Sequence, residues 1–274
     1  MRLVLIAAMA FGVGYLALCL FAFIYQVRLI LPAPEVALEP RTDAGVVELS
    51  GAGWRSLALH YPAPAGAPTL VHFHGNAEQL ADRTPLFERF HALGLGVLAV
   101  EYPGYGKATG EPSEESFYAV AEAALGHLRD LGVPASKTVL QGQSIGSGVA
   151  AEMALRGHGA RLVLLTPYTS MPEMARLVTS LLPGRLLVRH RFDTLAKAER
   201  VEVPVLVIHG SDDEVVPFEM AERLSAAFPR AFFHAVDGGT HDLFAGGAHL
   251  LASQIFVFAT KRAARGAGRA SAAL

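Results

Sequence analysis

The chain has 274 residues, 23 of them Lys or Arg and 25 Asp or Glu, for a formal net charge of −2. It is 52% hydrophobic and 18% charged, with a mean hydropathy of +0.35. An ordinary soluble protein is about 25% charged, so the composition points to a membrane segment and excludes disorder as the main state. The near-neutral balance excludes a protein that grips nucleic acid by neutralising phosphates. One cysteine, Cys19, excludes a disulfide framework and a thiolate zinc site.

Leu3 to Tyr25 are 23 residues without a charge, bounded by Arg2 and Arg28. As a helix they span about 34 Å, enough for a hydrocarbon layer of about 30 Å. A cleaved signal peptide would have a shorter apolar region ending at a small-x-small site; here Leu18 stands just before Cys19. A buried core helix is rarely this long and this apolar. Residues 1–30 are therefore expected to form a single-pass anchor, with 3–25 in the bilayer. Arg2 and Arg28 nearly balance, so orientation is not fixed. Residues 31–44 begin LPAPEVALEP, a proline-rich extended linker. At the far end, 263–274 are expected to be a flexible basic tail.

Between them, 45–262 alternate short aliphatic runs with amphipathic ones. Strands are expected at Thr69–Phe73, Val97–Val100, Thr138–Leu140, Leu162–Leu165, Val205–Ile208 and Phe232–Val236, with Leu57–Tyr61 as an antiparallel edge. Ser113 is a good N-cap, followed by Glu114 and Glu115 at the positive helix end. Phe117, Val120, Ala124, Leu128 and Leu131 then recur at helical spacing up to Gly132. A second helix runs from Ile145 to Leu155. The alternation predicts an α/β fold, a mostly parallel sheet covered on both faces, with ligands beyond the carboxyl ends of the strands.

The loops at those strand ends carry the chemistry. Gly142-Gln143-Ser144-Ile145-Gly146 is a G-x-S-x-G between a strand and a helix, the context in which a serine sits exposed on a sharp turn. A serine hydroxyl needs a base, and the base a carboxylate to orient it. Downstream stand Asp213, with Asp212 as its competitor, and then His241 in the Gly-rich loop 237–242. The order Ser144, Asp213, His241 is that of a hydrolase on this kind of sheet. The backbone N–H groups of Asn76 and Ile145 are the expected donors to an oxyanion. The loop 101–106, EYPGYG, follows the next strand and is expected to wall the site. Tyr102 and Tyr105 are candidate substrate contacts, with ring packing as the competing reading; Gly75 and Tyr168 are further candidates. His72-x-His74 could hold a metal, but no carboxylate or cysteine stands at ligand spacing. Neither usual Gly-rich phosphate-binding motif is present, so no cofactor is expected.

The stretches HGNAEQL (74–80), EYPGYGKATGEPSE (101–114), GQSIGSG (142–148), TPYTSM (166–171), HGSDDEVVPF (209–218) and GGTHDLF (238–244) together resemble the α/β-hydrolase superfamily. More narrowly they resemble its membrane-anchored α/β-hydrolase-domain-containing group, which includes palmitoyl-protein thioesterases and lysophospholipid lipases. The resemblance covers about residues 45–260. It implies Ser144 as nucleophile, Asp213 as acid, His241 as base, and the loop at Asn76 with the Ile145 N–H as oxyanion site. Two departures stand out: Ala108 where the group commonly has serine, and Asp242 where it has asparagine. The second places an extra negative charge beside the base.

Residues 166–200 are expected to form a cap. They hold six Lys or Arg and three Asp or Glu, with Arg176, Arg185, Arg189 and Arg191 among Leu177, Leu181, Leu182, Leu186 and Leu187. Such a stretch suits an anionic membrane surface or an acyl chain, and equally a cap helix with solvated arginines. The expected activity is hydrolysis of acyl esters or thioesters. An amidase or aminopeptidase on the same scaffold is the alternative, and a non-catalytic binding protein the reading from another class.

Overall fold

The computed structural model describes residues 1–179, 181–244 and 248–261; the tail expected at 263–274 lies outside them. The chain runs α1 (Arg2–Ile30), β1 (Gly45–Gly51), β2 (Trp54–Tyr61), β3 (Thr69–Phe73), α2 (Leu80–Ala92), β4 (Gly96–Val100), α3 (Glu114–Asp130), β5 (Thr138–Gln143), α4 (Ile145–Leu155) and β6 (Arg161–Leu165). It continues α5 (Met171–Val178), α6 (Gly184–Leu187), α7 (Thr194–Ala198), β7 (Val205–Gly210), α8 (Phe218–Ala227), β8 (Ala231–Val236) and α9 (Ala248–Thr260).

The strands form one sheet in the order β1-β2-β4-β3-β5-β6-β7-β8. The pairs β1–β2 and β2–β4 are antiparallel and all others parallel. Every residue of β3, β4, β5 and β7 is buried, as central parallel strands covered on both faces must be. One apolar layer joins the sheet to α3, α4, α7 and α8, and a second joins it to α2 and α9. Ser113 caps α3 through Ser116 N–H, as its sequence predicts. The edge strand is β1, not the expected Leu57–Tyr61 run, which lies second. Six of the seven β1 residues are at least partly exposed, so β1 offers little apolar alternation. The turn at Gly53 (φ +80°), a conformation that favours glycine, folds it back on β2.

The chain order reverses around β3, which sits between β4 and β5. The loops after β3 and β5 therefore part to opposite sides and leave a crevice at their carboxyl ends.

Helix α1 is 29 residues long, about 44 Å. It is long and apolar enough to cross a membrane, and none of its apolar window is buried, which sets aside the core-helix alternative. Only Gln26 is buried. The segment after it is docked rather than loose. Leu31 is buried, the Pro32 carbonyl accepts from Ala77 N–H (2.9 Å), and Gln79 bonds both Val36 O and Leu38 N–H.

Candidate active site

Ser144 stands between β5 and α4 with φ +49° and ψ −119°, a backbone region that costs a residue with a β-carbon on the order of 1–3 kcal/mol. Its N–H donates to Leu165 O (2.9 Å), and its carbonyl accepts from Ser147 N–H (2.9 Å) and Ser147 Oγ (2.6 Å). Two glycines make the turn possible. A β-carbon at Gly146 would fall on the Phe73 carbonyl, and one at Gly142 on the Gly146 carbonyl.

Ser144 Oγ lies 3.1 Å from His241 Nε2. His241 Nδ1 lies 2.8 and 3.0 Å from the two oxygens of Asp213. A carboxylate can only accept, so Nδ1 carries the proton and Nε2 is free to accept from the serine hydroxyl. These three residues come from the ends of β5, β7 and β8 and are 97 and 28 positions apart in sequence.

Asp213 is held from four directions. Besides His241, Oδ1 accepts from Val215 N–H (2.8 Å) and Val216 N–H (2.9 Å), and Oδ2 faces His209 Nε2 at 3.2 Å. Burial alone would raise its pKa. The bonds from His209, His241 and Val216 outweigh that and hold it well below the usual carboxylate range. Asp212, its competitor in the sequence, is exposed and accepts from Ser211 Oγ instead. The buried His209 is a partner that the sequence reading passed over; its place four residues before Asp213, at the end of β7, was the available signal.

Neither Asn76 N–H nor Ile145 N–H has a protein acceptor among the described residues, and Ile145 opens α4, whose N-terminal dipole favours negative charge. The Asn76 side chain is pinned: Nδ2 donates to Ile30 O (2.7 Å) and Oδ1 accepts from Tyr105 OH (3.0 Å). A β-carbon on Gly75 would lie 3.6 Å from Ser144 Cβ, so this loop abuts the serine.

Behind the loop is a buried ion pair, His74 Nε2 to Glu101 Oε1 at 2.8 Å, with His74 Nδ1 donating to Gly75 O (2.8 Å). Burial works against the imidazolium, but the Glu101 hydrogen bond and charge and the Gly75 carbonyl outweigh it, so the His74 pKa is raised. The other Glu101 oxygen accepts from Leu80 N–H (3.1 Å). This partner puts His74 to use in holding the loop. His72 faces elsewhere, on Phe87 and Gln141, and burial lowers its pKa to about 4. Glu78 accepts from Gly75 N–H (2.9 Å) and pairs with Arg83, which also reaches Asp242 at 3.3 Å. Arg83 thus ties the loop at Gly75 to the loop of His241 and answers the extra charge that Asp242 brings.

Glu101→Gln is expected to lower stability by about 3–5 kcal/mol, the cost of breaking a buried pair. A pKa raised on folding stabilises fully below the unfolded value, about 6.5 for histidine, and that stabilisation is lost as pH rises through the folded value. The Tm gap between wild type and Glu101→Gln should therefore be largest in mild acid and shrink toward alkaline pH. A constant gap would show that His74 carries no charge.

The tyrosines require a correction. Tyr102 and Tyr105 are 0% and Tyr168 1% exposed, so none lines an open pocket. Tyr102 stacks on Phe117 with ring centres 3.9 Å apart and donates to His74 O. Tyr105 holds Asn76, and Tyr168 packs over Gly148. The rings of Tyr102 and Tyr105 fill the layer beneath the loop, the competing reading of the sequence for those two.

Residues 66–194 match the family Hydrolase_4, described as serine aminopeptidase, S33. The chain is 33% identical over 216 residues to the uncharacterized protein Rv2307c of Mycobacterium tuberculosis, covering 76% of this chain and 77% of that one. It is 40% identical over 162 residues to the alpha/beta hydrolase domain-containing protein aho-3 of Caenorhabditis elegans, covering 57% of this chain and 47% of that one. The chain belongs to the α/β-hydrolase superfamily. Its fold agrees: the esterase Pf2001 of Pyrococcus furiosus superposes with a TM-score of 0.68 at 18% identity, covering 82% of this chain and 97% of that one. For this α/β-hydrolase, the family match and the relatives support a hydrolase, and the likeness to the esterase is one of fold.

Proposed function

We propose that this α/β-hydrolase is a membrane-anchored serine hydrolase that cleaves carboxylic ester or thioester bonds of acyl, lipid-like substrates. The observation that carries the reading is the contact of Ser144 Oγ with His241 Nε2 at 3.1 Å while Asp213 holds the other ring nitrogen.

The reaction follows from that geometry. His241 Nε2 takes the Ser144 proton as Oγ attacks the acyl carbon. The carbonyl oxygen gains negative charge, which the N–H groups of Asn76 and Ile145, free of protein acceptors among the described residues, receive in this reading. His241 then gives the proton to the leaving alcohol or thiol, and an acyl-serine remains. A water that loses its proton to His241 attacks the acyl carbon and frees the acid and the serine. The hydrogen bonds from Val215, Val216 and His241 keep the buried Asp213 carboxylate ionised, so in this reading it stabilises the imidazolium in both halves.

The exposed apolar α1 supports the anchor, and the docking of residues 30–38 on the loop after β3 supports its retention beside the site. The family description, serine aminopeptidase, favours amide hydrolysis as a second reading. A panel of acyl esters, thioesters and aminoacyl amides, each with short and long acyl groups, tests both with the purified full chain in detergent. Long-chain esters or thioesters are expected to be turned over fastest. Preference for aminoacyl amides would favour the second reading, and preference for short acyl chains would count against a lipid-like substrate.

A further inference from the structure

The anchor is not a free tether, and its few polar side chains show where it is engaged. Between Arg2 and Arg28 the hydrogen-bonding side chains besides the Cys19 thiol are Tyr15, Tyr25 and Gln26. Two of them are spent on the backbone of one segment of the cap. Tyr15 OH donates to Leu181 O (3.0 Å). Gln26 Nε2 donates to Leu187 O (3.2 Å), and Gln26 Oε1 accepts from Arg189 N–H (2.8 Å). The Arg189 guanidinium sits 5.0 Å from the centre of the Phe23 ring. The cap from Leu181 to Arg189 therefore runs alongside α1 from the level of Tyr15 to that of Gln26, about 16 Å of helix axis.

Depth follows from this. If residues 3–25 span the bilayer, Tyr15 stands near its middle, about 15 Å from the end at Tyr25. The cap tip is strapped to that level, so it cannot lie in water while the helix lies in lipid. Its surface fits such a place: Leu181 and Leu186 are 82% and 83% exposed, with Leu177 and Val178 exposed beside them. Its backbone fits as well, since carbonyls and amides in hydrocarbon need internal partners. Leu182 N–H bonds Thr179 O, Leu186 and Leu187 N–H bond Pro183 O, Val188 N–H bonds Gly184 O, and α1 side chains supply the partners for Leu181, Leu187 and Arg189. Arg176, Arg185 and Arg189 are exposed at the edge of the patch, where long basic side chains can reach anionic headgroups.

We propose that residues 177–179 and 181–187 of the cap are inserted in the hydrocarbon of one leaflet, against α1, with the Arg185 side chain extended to the headgroups, and that acyl substrate enters the site from that leaflet. The occupant of the exposed leucine face is the acyl chains of the lipid. The site is close at hand. Ile30, at the end of α1, accepts from Asn76, whose neighbour Gly75 abuts Ser144. The proposal rests on the reading of α1 as a membrane span.

Full-length single-cysteine variants on a Cys19→Ser background test it, reconstituted in phosphatidylcholine vesicles with about a fifth phosphatidylglycerol. A polarity-sensitive fluorophore is placed at Leu181→Cys, at Val13→Cys on the exposed face of α1, and at Glu222→Cys on α8. Lipids spin-labelled midway along the acyl chain are expected to quench positions 181 and 13 alike, and aqueous iodide only position 222. Iodide quenching of 181 with lipid quenching of 13 would overturn the inference, leave the span standing, and leave the leucine face to a protein partner. Iodide quenching of both would remove the span and the inference together. Reaction of Ser144 with a fluorophosphonate reports on the hydrolase reading independently of either result. In the same vesicles Leu181→Asp/Leu186→Asp should lose at least about tenfold in turnover of a long-chain ester embedded in the bilayer, and keep wild-type turnover of a soluble short-chain ester. Equal retention of both activities would contradict leaflet entry.

Discussion

Replacing Ser144 by alanine is expected to lower kcat on any acyl ester by roughly 10⁴- to 10⁶-fold, and His241→Ala by a similar factor. In the proposed reaction the two act as one unit, since the hydroxyl is a nucleophile only while Nε2, 3.1 Å away, accepts its proton. The double variant should therefore be no worse than either single one, with the residual rate supplied by the N–H groups of Asn76 and Ile145. Folding should survive. The turn is fixed by Gly142, Gly146 and the bonds to Leu165 and Ser147, none of which uses Ser144 Oγ, so Tm should move by no more than a few degrees. A Ser144→Ala protein with the expected Tm and near-wild-type turnover would place the chemistry elsewhere.

The second large effect separates two adjacent carboxylates. Asp213→Asn is expected to cost about 10⁴-fold in kcat, because an amide no longer enforces the tautomer with the proton on Nδ1. It should also destabilise. The new NH₂ group meets His209 Nε2 or the N–H groups of Val215 and Val216 where an acceptor stood, and each buried mismatch costs about 1–3 kcal/mol. Asp212→Asn, whose partner is the exposed Ser211 hydroxyl, should change turnover by less than about twofold. The pH dependence has a definite sign. Folding lowers the Asp213 pKa, so its stabilisation is present above the unfolded value of about 4 and is lost as pH falls through the folded one. The stability deficit of Asp213→Asn should thus narrow in strong acid. Equal loss of activity in both variants would mean that the carboxylates share the role.

These effects concern residues that local sequence could name. Ser144 announces itself because the glycines its turn requires are its neighbours, between a strand and a helix. His241 stands out by its Gly-rich loop after β8, and chain order calls for a carboxylate after β7, where Asp212 stayed open beside Asp213. Local pattern could not choose sides. Tyr102, Tyr105 and Tyr168 sit at strand ends, where the sequence tells that a ring lies near the sheet but not whether it faces the crevice or the layer beneath. Pairings distant in sequence were hidden as well. Glu101 meets His74 across 27 positions, and Leu181 meets Tyr15 across 166; no periodicity brings such residues together. The edge strand β1 was missed because an exposed strand has little apolar alternation to show.

The central claim is a serine made nucleophilic by His241. A fluorophosphonate that resembles an acyl ester measures this directly on the full chain, read by intact mass and by the modified peptide. The account predicts one adduct, on Ser144, in the wild type, and almost none in His241→Ala over the same time. An unmodified Ser144, or a His241→Ala protein labelled as fast as the wild type, would contradict it.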